Sequence, residues 1–227
     1  MWAVIKKELK SYFYSPIGYV SVGIFLLCFS IFFYLAVFKS GSADLGSLYY
    51  YTALYGLVVI VPILTMRMFA EERKNGTEQL LFTSPISVHK IVFGKLLAGL
   101  MVILITMMIS FIYYIILLFF GEPNIKTTII SMLGFLLISL SAMSFGMFAS
   151  SLTENQIIAG ILTVAFLIIS LFAESISSIF SGFALLNFYE SFAKGVISLE
   201  SVIQYLAFSA VFITMTIIIL RRRKLVK

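Results

Sequence analysis

Charged residues are scarce in this chain. Only 11% of its 227 residues are Asp, Glu, Lys or Arg, against about 25% in an ordinary soluble domain. The chain has one cysteine, Cys28, and one histidine, His89. A single thiol excludes an intramolecular disulfide and a multi-cysteine metal site, and a lone histidine excludes a zinc-protease motif.

Motifs for catalysis are also missing. No G-x-S-x-G motif for a nucleophilic serine occurs, and the pair Gly94-Lys95 lacks the upstream glycine of a phosphate-binding loop. We therefore expect no catalytic residue, no metal ligand and no cofactor of its own, and we interpret the chain as not an enzyme. A membrane enzyme is a poor alternative, because no nucleophile, metal or acid/base set is present. A self-standing channel is similarly poor, because charged groups inside the apolar runs are nearly absent.

Long apolar runs fill the sequence instead. Hydrophobic residues make up 61% of the chain and the mean hydropathy is +1.10. A run of about 20 apolar residues crosses the hydrocarbon core as a helix, and continuous runs favour helices over barrel strands. The sequence predicts an all-α membrane protein, one domain over residues 1–227, with six transmembrane helices. These spans are placed at residues 17–38, 48–69, 91–120, 127–150, 156–173 and 201–220.

The short loops divide the positive charge unequally. With the N-terminus inside, thirteen of the 16 Lys and Arg residues lie on the cytoplasmic side, and only Lys39, Lys126 and Lys194 lie outside. This asymmetry predicts that both termini are cytoplasmic and that the chain is multi-pass in the cell (inner) membrane. It also explains the net charge of +6 without a nucleic-acid partner. The basic run at Arg221–Lys224 adjoins the last span, where such residues normally meet anionic lipid.

The first fourteen residues predict a helix in the membrane interface. Apolar side chains at positions 2, 5, 9, 12 and 13 share one helical face, and the lysines are mostly opposite. Ser15-Pro16 should end this helix, because the residue before proline disfavours helical geometry. The alternative is a cytoplasmic extension of the first span.

Two other features concern the spans themselves. Tyrosines 49, 50, 51 and 55 open the second span, where they fit an interfacial belt better than ligand stacking. The fourth span carries Ala142, Gly146 and Ser150 at four-residue spacing, and small residues let helices approach closely in lipid. We expect this span to be buried against others.

The outer stretch between the fifth and sixth spans predicts one or two short amphipathic helices. Asn187 is a candidate cap, Glu190 and Lys194 have the spacing of a pair on one helical turn, and Gly195 should end the helix. Phe192 would press into the outer interface or the bundle. Glu190, Phe192 and Lys194 are therefore candidates for an outer gate, with simple anchoring as the alternative.

Residues 70–87, between the second and third spans, form the one sizeable polar segment. Arg67 and Glu71 are spaced for an ion pair, and Asn75-Gly76 should end the first helix. Thr77 and Glu78 suit the start of a second short helix that carries apolar residues. A simple turn needs only a few residues, so a capped excursion of this length favours a docking surface over an amphipathic loop resting on lipid.

The 70–87 segment also carries a family resemblance. The run Ala70-Glu71-Glu72-Arg73-Lys74-x-Gly76-Thr77-x-x-x-Leu81-x-Thr83-x-Pro85 resembles the coupling segment of permeases of the type-2 ATP-binding-cassette exporter family. The N-terminal Lys/Glu helix and the six-span layout are also similar to that family. The outer stretch Phe192-Ala193-Lys194-Gly195-Val196-Ile197 resembles in particular the small gliding-motility-type permeases.

That resemblance implies a coupling helix and partners. It implies a second permease copy or a related permease, two cytoplasmic ATPase subunits that bind ATP and Mg, and a path lined by the second and fifth spans. A secondary inner contact is implied at Thr153 and Glu154. The residues expected to couple to the ATPase are Glu71, Glu72, Arg73, Gly76, Thr77, Glu78, Leu80, Leu81 and Phe82.

The resulting functional hypothesis is a transmembrane subunit of an exporter that couples ATP hydrolysis by a separate subunit to substrate movement. The alternative is a membrane subunit that uses ATPase motion for mechanical work or signalling without passing a solute. A substrate-lined cavity between two copies would distinguish the two, and the sequence does not reveal the solute.

Overall fold

The computed structural model describes residues 1–39, 44–83, 86–176 and 182–226. Within these ranges every regular element is a helix. The first two helices, α1 (Trp2–Tyr14) and α2 (Pro16–Phe33), meet at Ser15, whose extended backbone (ψ 156°) breaks the helix as predicted from the following proline. Helix α2 continues as a π-helical stretch over Tyr34–Lys39.

The second apolar run is assembled from several pieces. Asp44 caps α3 (Leu45–Tyr51) by accepting hydrogen bonds from the backbone nitrogens of Gly46 and Ser47. A π-helical segment (Thr52–Gly56) leads into α4 (Leu57–Thr65), and a turn over residues 66–69 leads into α5 (Ala70–Lys74). The short helix α6 (Glu78–Thr83) follows.

The remaining helices are mostly long. They are α7 (Val88–Leu117), α8 (Ile125–Leu152), α9 (Gln156–Ile176), the short α10 (Tyr189–Ala193) and α11 (Leu199–Val226). Asn124 caps α8 through its side-chain oxygen, and Gly195, at φ +76°, lies just after α10 in the left-handed conformation that ends a helix.

Five stretches of the described residues are long and apolar enough to cross a membrane. They correspond to the first, second, third, fourth and sixth predicted spans, with bounds of Pro16–Val37, Leu45–Lys74, Val88–Leu117, Ile125–Leu152 and Leu199–Leu225. The predicted fifth span falls on α9, where the apolar stretch Gln156–Leu171 is shorter than the others. The count of six spans therefore stays a prediction.

The second and fourth spans form the centre of the bundle. About 61% of the most apolar part of the second span and 56% of that of α8 are buried, against 22–33% in the other three spans. Helix α8 contacts α4, α7, α9 and α11. At Gly146 a β-carbon would overlap Thr65 of α4 and press on Thr163 of α9, so close approach explains the glycine. The predicted burial of the fourth span is correct.

Helix α1 packs along α7, so that protein covers part of its surface. Val4, Ile5 and Tyr12 are buried, and a β-carbon at Gly94 of α7 would lie 2.9 Å from a methyl of Val4. Trp2, on the apolar face predicted to lie in the membrane interface, is 68% exposed, whereas Val4, which is not on that face, meets α7. Helix α1 thus buries part of its surface against the bundle, and its placement in the membrane interface stays a prediction.

The tyrosines at the start of the second span separate into two groups. Tyr51 and Tyr55 are exposed, as expected of an interfacial belt, and both rings stack on Phe32. Tyr49 is 1% exposed and its hydroxyl shares a hydrogen bond of 2.8 Å with Ser110 of α7. The belt interpretation is wrong for Tyr49, whose hydroxyl finds a polar partner inside the bundle.

Candidate functional site

The described residues of the 70–87 segment (70–83, 86 and 87) pack at one end of the bundle. Helix α1, the start of α7, the turn between α8 and α9, and the end of α11 lie at the same end. We call this region the polar end. Here the second span breaks between α4 and α5, and Ser150 of α8 satisfies the backbone groups that the break releases. Its hydroxyl accepts from the nitrogens of Phe69 and Ala70 at 3.1 Å each, and donates to the Met66 carbonyl at 3.0 Å. The buried side chain of Ser150 therefore fixes the position at which the 70–87 segment begins.

Arg67 connects this break to the junction of α1 and α2. Its Nε lies 2.9 Å from Oε2 of Glu71, which confirms the predicted ion pair. The two terminal nitrogens donate to the hydroxyls of Ser15 and Ser11 at 3.0 and 2.9 Å. Arg67 thus contacts α5 through Glu71, and it contacts α1 and its end through Ser11 and Ser15. The arginine therefore orients α5 relative to α1.

Glu72 belongs to a four-residue ion cluster that the sequence did not reveal. Oε1 of Glu72 lies 3.0 Å from Nζ of Lys95 and 3.1 Å from Nζ of Lys7, and Lys95 also pairs with Glu8 at 2.9 Å. Lys95 is 2% exposed. The two lysines balance the two carboxylates, which offsets the cost of removing these charges from water. The cluster ties α5 to α1 and α7 at once.

The carboxylates also affect the titration of Lys7. Partial burial lowers the pKa of Lys7, but the charges of Glu72 and Glu8 outweigh burial and hold that pKa above its ordinary value of 10.5. A raised lysine pKa means that the pairing stabilises the fold throughout neutral pH and is lost only as the pH rises through the raised value. The second oxygen of Glu72, Oε2, is buried and has no hydrogen-bond partner among the described residues.

Arg73 reaches the turn between α8 and α9. Its Nε lies 2.8 Å from Oε1 of Glu154, and its Nη1 donates to the Leu152 carbonyl at 3.4 Å. The hydroxyl of Thr153 accepts from the nitrogen of Asn155 and so stays within the turn. The structure thus brings the predicted secondary contact, Thr153 and Glu154, next to the predicted coupling segment.

Helix α5 ends where the sequence predicts. Asn75 is the residue that caps the end of α5, and Gly76 adopts φ +71°, with nothing within 4 Å of where a β-carbon would lie. The Thr77 hydroxyl donates to the Glu72 carbonyl at 3.2 Å, which closes the turn back onto α5. Helix α6 then begins at Glu78, a carboxylate in the first turn.

The short helix α6 is buried at Glu78 and exposed at the two residues that follow. Glu78 is 4% exposed and pairs with Arg223 of α11. Gln79 is exposed and Leu80 is 73% exposed. The side chains of Leu81 and Phe82, both predicted coupling residues, fall outside the part of the chain that the structure describes.

A cavity of about 620 Å³ lies between α1 and the 70–87 segment. Charged side chains of both signs line it, among them Lys7, Arg67, Glu71, Glu72 and Lys95. Among the described residues no group of three or more His, Cys, Asp or Glu side chains is arranged to hold a metal ion. The polar end therefore presents charged side chains, oriented by their ion pairs, around a cleft.

The outer gate candidates lie on α10, which packs on α8. Glu190 and Lys194 pair at 3.4 Å as predicted and are exposed beside a shallow groove of about 330 Å³. Phe192 is 1% exposed, and Ser131 of α8 donates to its carbonyl at 3.0 Å. Asn187 is not the cap: Phe188 holds that position, because the helix begins at Tyr189.

Tyr189 explains the later start of α10. Its ring is fully buried and its hydroxyl donates to the Ser131 carbonyl at 2.9 Å. Burial raises the pKa of Tyr189 well above 10.0, so the phenol keeps the proton that this hydrogen bond requires. The anchoring of α10 therefore comes from Tyr189 and Phe192, and its two charged residues remain at the surface.

Sequence reasoning missed four residues of the polar end: Lys7, Glu8, Lys95 and Arg223. Lys95 carried a usable signal, since a lysine two turns inside an apolar helix needs a partner. Lys7, Glu8 and Arg223 stand among other charged residues, and nothing in their spacing distinguishes them from their neighbours.

Comparison with protein families gives a match over nearly the whole chain. A family model described as ABC-2 family transporter protein matches residues 2–224 of the chain. No match was found among curated proteins. The matched range includes α1, the 70–87 segment and α11 as far as Lys224, and therefore the whole polar end.

Proposed function

This chain belongs to the ABC-2 family of transporter proteins as a permease subunit that crosses the membrane several times, and from that premise we propose that its 70–87 segment couples ATP hydrolysis in a separate subunit to export of a substrate. The family implies an ATP-binding-cassette ATPase as partner. ATP and Mg bind that partner, and the permease contributes the path and the mechanical link.

One observation carries the proposal: the described part of the 70–87 segment is tied to the bundle by ion pairs on one side and is exposed on the other. Glu71, Glu72, Arg73 and Glu78 are engaged with α1, α7, α11, the break after α4 and the turn after α8. Residues 74–77, 79 and 80 are exposed. A loop that only rests on lipid needs no such anchoring, whereas a surface that receives force from a partner does.

The ion pairs serve orientation more than adhesion. Exposed ion pairs contribute only about 0.2–1 kcal/mol each. The Arg73–Glu154 pair therefore adds little to the free energy that holds α5 against the turn after α8. Several pairs acting in different directions nevertheless restrict how α5 can tilt. A displacement of α5 by the ATPase would then move the second span, through the break held by Ser150, and α7 through Lys95.

The wider assembly follows from the same proposal. Two permease copies, identical or related, would combine with two ATPase subunits, with α9 as the sixth span and with both ends of the chain cytoplasmic in the cell membrane. The excess of Lys and Arg on the side of the polar end supports that orientation. Glu190, Phe192 and Lys194 on α10 would form an outer gate.

Two exposed leucines at the polar end allow a matched test of docking. Leu80 on α6 is 73% exposed and Leu225 near the end of α11 is 85% exposed. We expect Leu80→Glu to reduce the ATPase recovered with affinity-purified permease by about tenfold, as for loss of an interface anchor. Leu225→Glu should leave recovery unchanged.

The measurement is the ratio of ATPase to permease after purification from native membranes, at equal membrane insertion. Equal recovery of the ATPase with both variants would show that the 70–87 segment is not part of the docking surface. A permease that recovers no ATPase even with the unaltered chain would overturn the proposed function.

A further inference from the structure

Four consecutive basic residues, Arg221–Lys224, lie near the end of α11, and their side chains have different surroundings. Arg222 and Lys224 are exposed, and Arg221 contacts the ring of His89 on α7. Arg223 turns into the polar end, where only 21% of its side chain is exposed. Lipid anchoring fits residues that face outward, but it does not account for Arg223.

The guanidinium of Arg223 joins two other elements. Its Nη1 donates to Oε1 of Glu78 at 3.4 Å, and its Nη2 donates to the Ser151 carbonyl at 2.6 Å. Ser151 is in the last turn of α8, where carbonyl groups lack helical partners and carry partial negative charge. Glu78 is in the first turn of α6. Arg223 therefore bridges the end of α8 and the beginning of α6.

The position of α6 depends on this bridge. Between α5 and α6 the chain passes through Gly76, where a β-carbon would meet nothing within 4 Å, and the Thr77 hydrogen bond to the Glu72 carbonyl ties this turn to α5 but not to α8 or α11. The other ion pairs of the segment start from Glu71, Glu72 and Arg73, all on α5. Among the salt bridges of the described residues, Glu78–Arg223 is the one that reaches α6.

We infer that Arg223 is a positioning residue for coupling. It holds α6 against α8 and links the end of α11 to the 70–87 segment. This inference rests on the proposed function and deepens it. When the ATPase displaces α6, Arg223 transmits the displacement to α8 and α11, in addition to the path through α5 and the second span. Without Arg223, α6 would move on its turn without carrying those helices.

The neighbour Arg222 provides a matched control, because Arg222→Ala and Arg223→Ala remove the same side chain one position apart. The reporter is Gln79→Cys on α6, in a Cys28→Ser background, in the permease–ATPase complex reconstituted into lipid nanodiscs. Maleimide labelling of the reporter is measured with and without ATP. We expect ATP to change the labelling rate in the reporter background and in Arg222→Ala.

In Arg223→Ala the apo labelling rate should rise by about tenfold, as expected for loss of a charge-assisted hydrogen bond that held α6. The change in rate caused by ATP should be lost. Glu78→Gln, which keeps the shape of the side chain, should reproduce both effects if Arg223→Ala fails to insert. Adding Glu78→Gln to Arg223→Ala should cause little further change, because both act on one bridge.

The outcomes separate this inference from the proposed function. An ATP response in Arg223→Ala or Glu78→Gln equal to that in Arg222→Ala would overturn the role of Arg223, while an assembled, ATP-responsive complex would leave the proposed function standing. Failure of the unaltered reporter chain to assemble with the ATPase would overturn both.

Discussion

Lys95 shows how a single side chain can be essential to a site without belonging to its visible surface. It lies two turns into α7, 2% exposed, between the carboxylates of Glu8 and Glu72 and with its ammonium 5.3 Å from the centre of the Phe69 ring. A buried lysine is tolerated when its charge is paired and its proton donors have partners. Its removal would therefore affect three elements together.

We expect Lys95→Met to destabilise the protein by about 3–5 kcal/mol, because two partly buried carboxylates would share only Lys7. Lys90→Met, on the same helix but exposed, should change little. The temperature at which the purified protein in detergent loses its monodisperse peak on size exclusion measures the effect. Adding Glu8→Gln should recover part of the loss, and equal melting of the Lys95 and Lys90 variants would contradict the assigned pairing.

At the scale of elements, α8 is the helix on which the others converge. It supplies Ser150 to the break after α4, the Ser151 carbonyl to Arg223, and Ser131 to α10. Small side chains along one helix allow these approaches, since bulky residues would hold the neighbours away. Gly146 marks the tightest of these contacts with α4.

A pair of alanine substitutions tests this packing. Gly146→Ala places a methyl group against Thr65 and Thr163 and should cost about 1–3 kcal/mol through overpacking. Gly23→Ala on α2 meets nothing within 4 Å and should be neutral or slightly stabilising. Thermal unfolding of the two variants in the same detergent gives the comparison, and similar midpoints would show that α8 is not close-packed at Gly146.

The elements themselves follow largely from local patterns, whereas their contacts do not. Apolar run length, Ser15-Pro16 and Asn75-Gly76 predict the helices and their ends because each signal acts within one or two turns. The pairs Lys95–Glu8 and Arg223–Glu78 connect residues 87 and 145 positions apart. No spacing rule links such residues, so the short helices of the 70–87 segment could be predicted but not the side chains that hold them.

At the scale of the whole molecule, the basic residues are divided between two ends. Lys74 at the polar end is exposed, and Lys194 on α10, beyond the opposite end of α9, has a side chain that is 74% exposed. If the polar end faces the cytoplasm, these two residues lie on opposite sides of the membrane.

Single cysteines test this arrangement in a Cys28→Ser background. We expect Lys194→Cys to react with a membrane-impermeant maleimide when it is applied to the outer face of the cell membrane. Lys74→Cys should react only after the membrane is permeabilised, because the bilayer separates the reagent from the polar end. Labelling of Lys74→Cys from the outer face would reverse the proposed orientation.

The bridge from Arg223 to Glu78 also has a consequence for biosynthesis. The partners of the Lys95 cluster are all present once α7 has been made, but Arg223 leaves the ribosome 145 residues after Glu78. At translation rates of about 5–20 residues per second, that interval is roughly 7–30 s. During this time a nascent permease presents α6 without its final tether, and under the proposed function the ATPase would dock productively only after the last helix has been inserted.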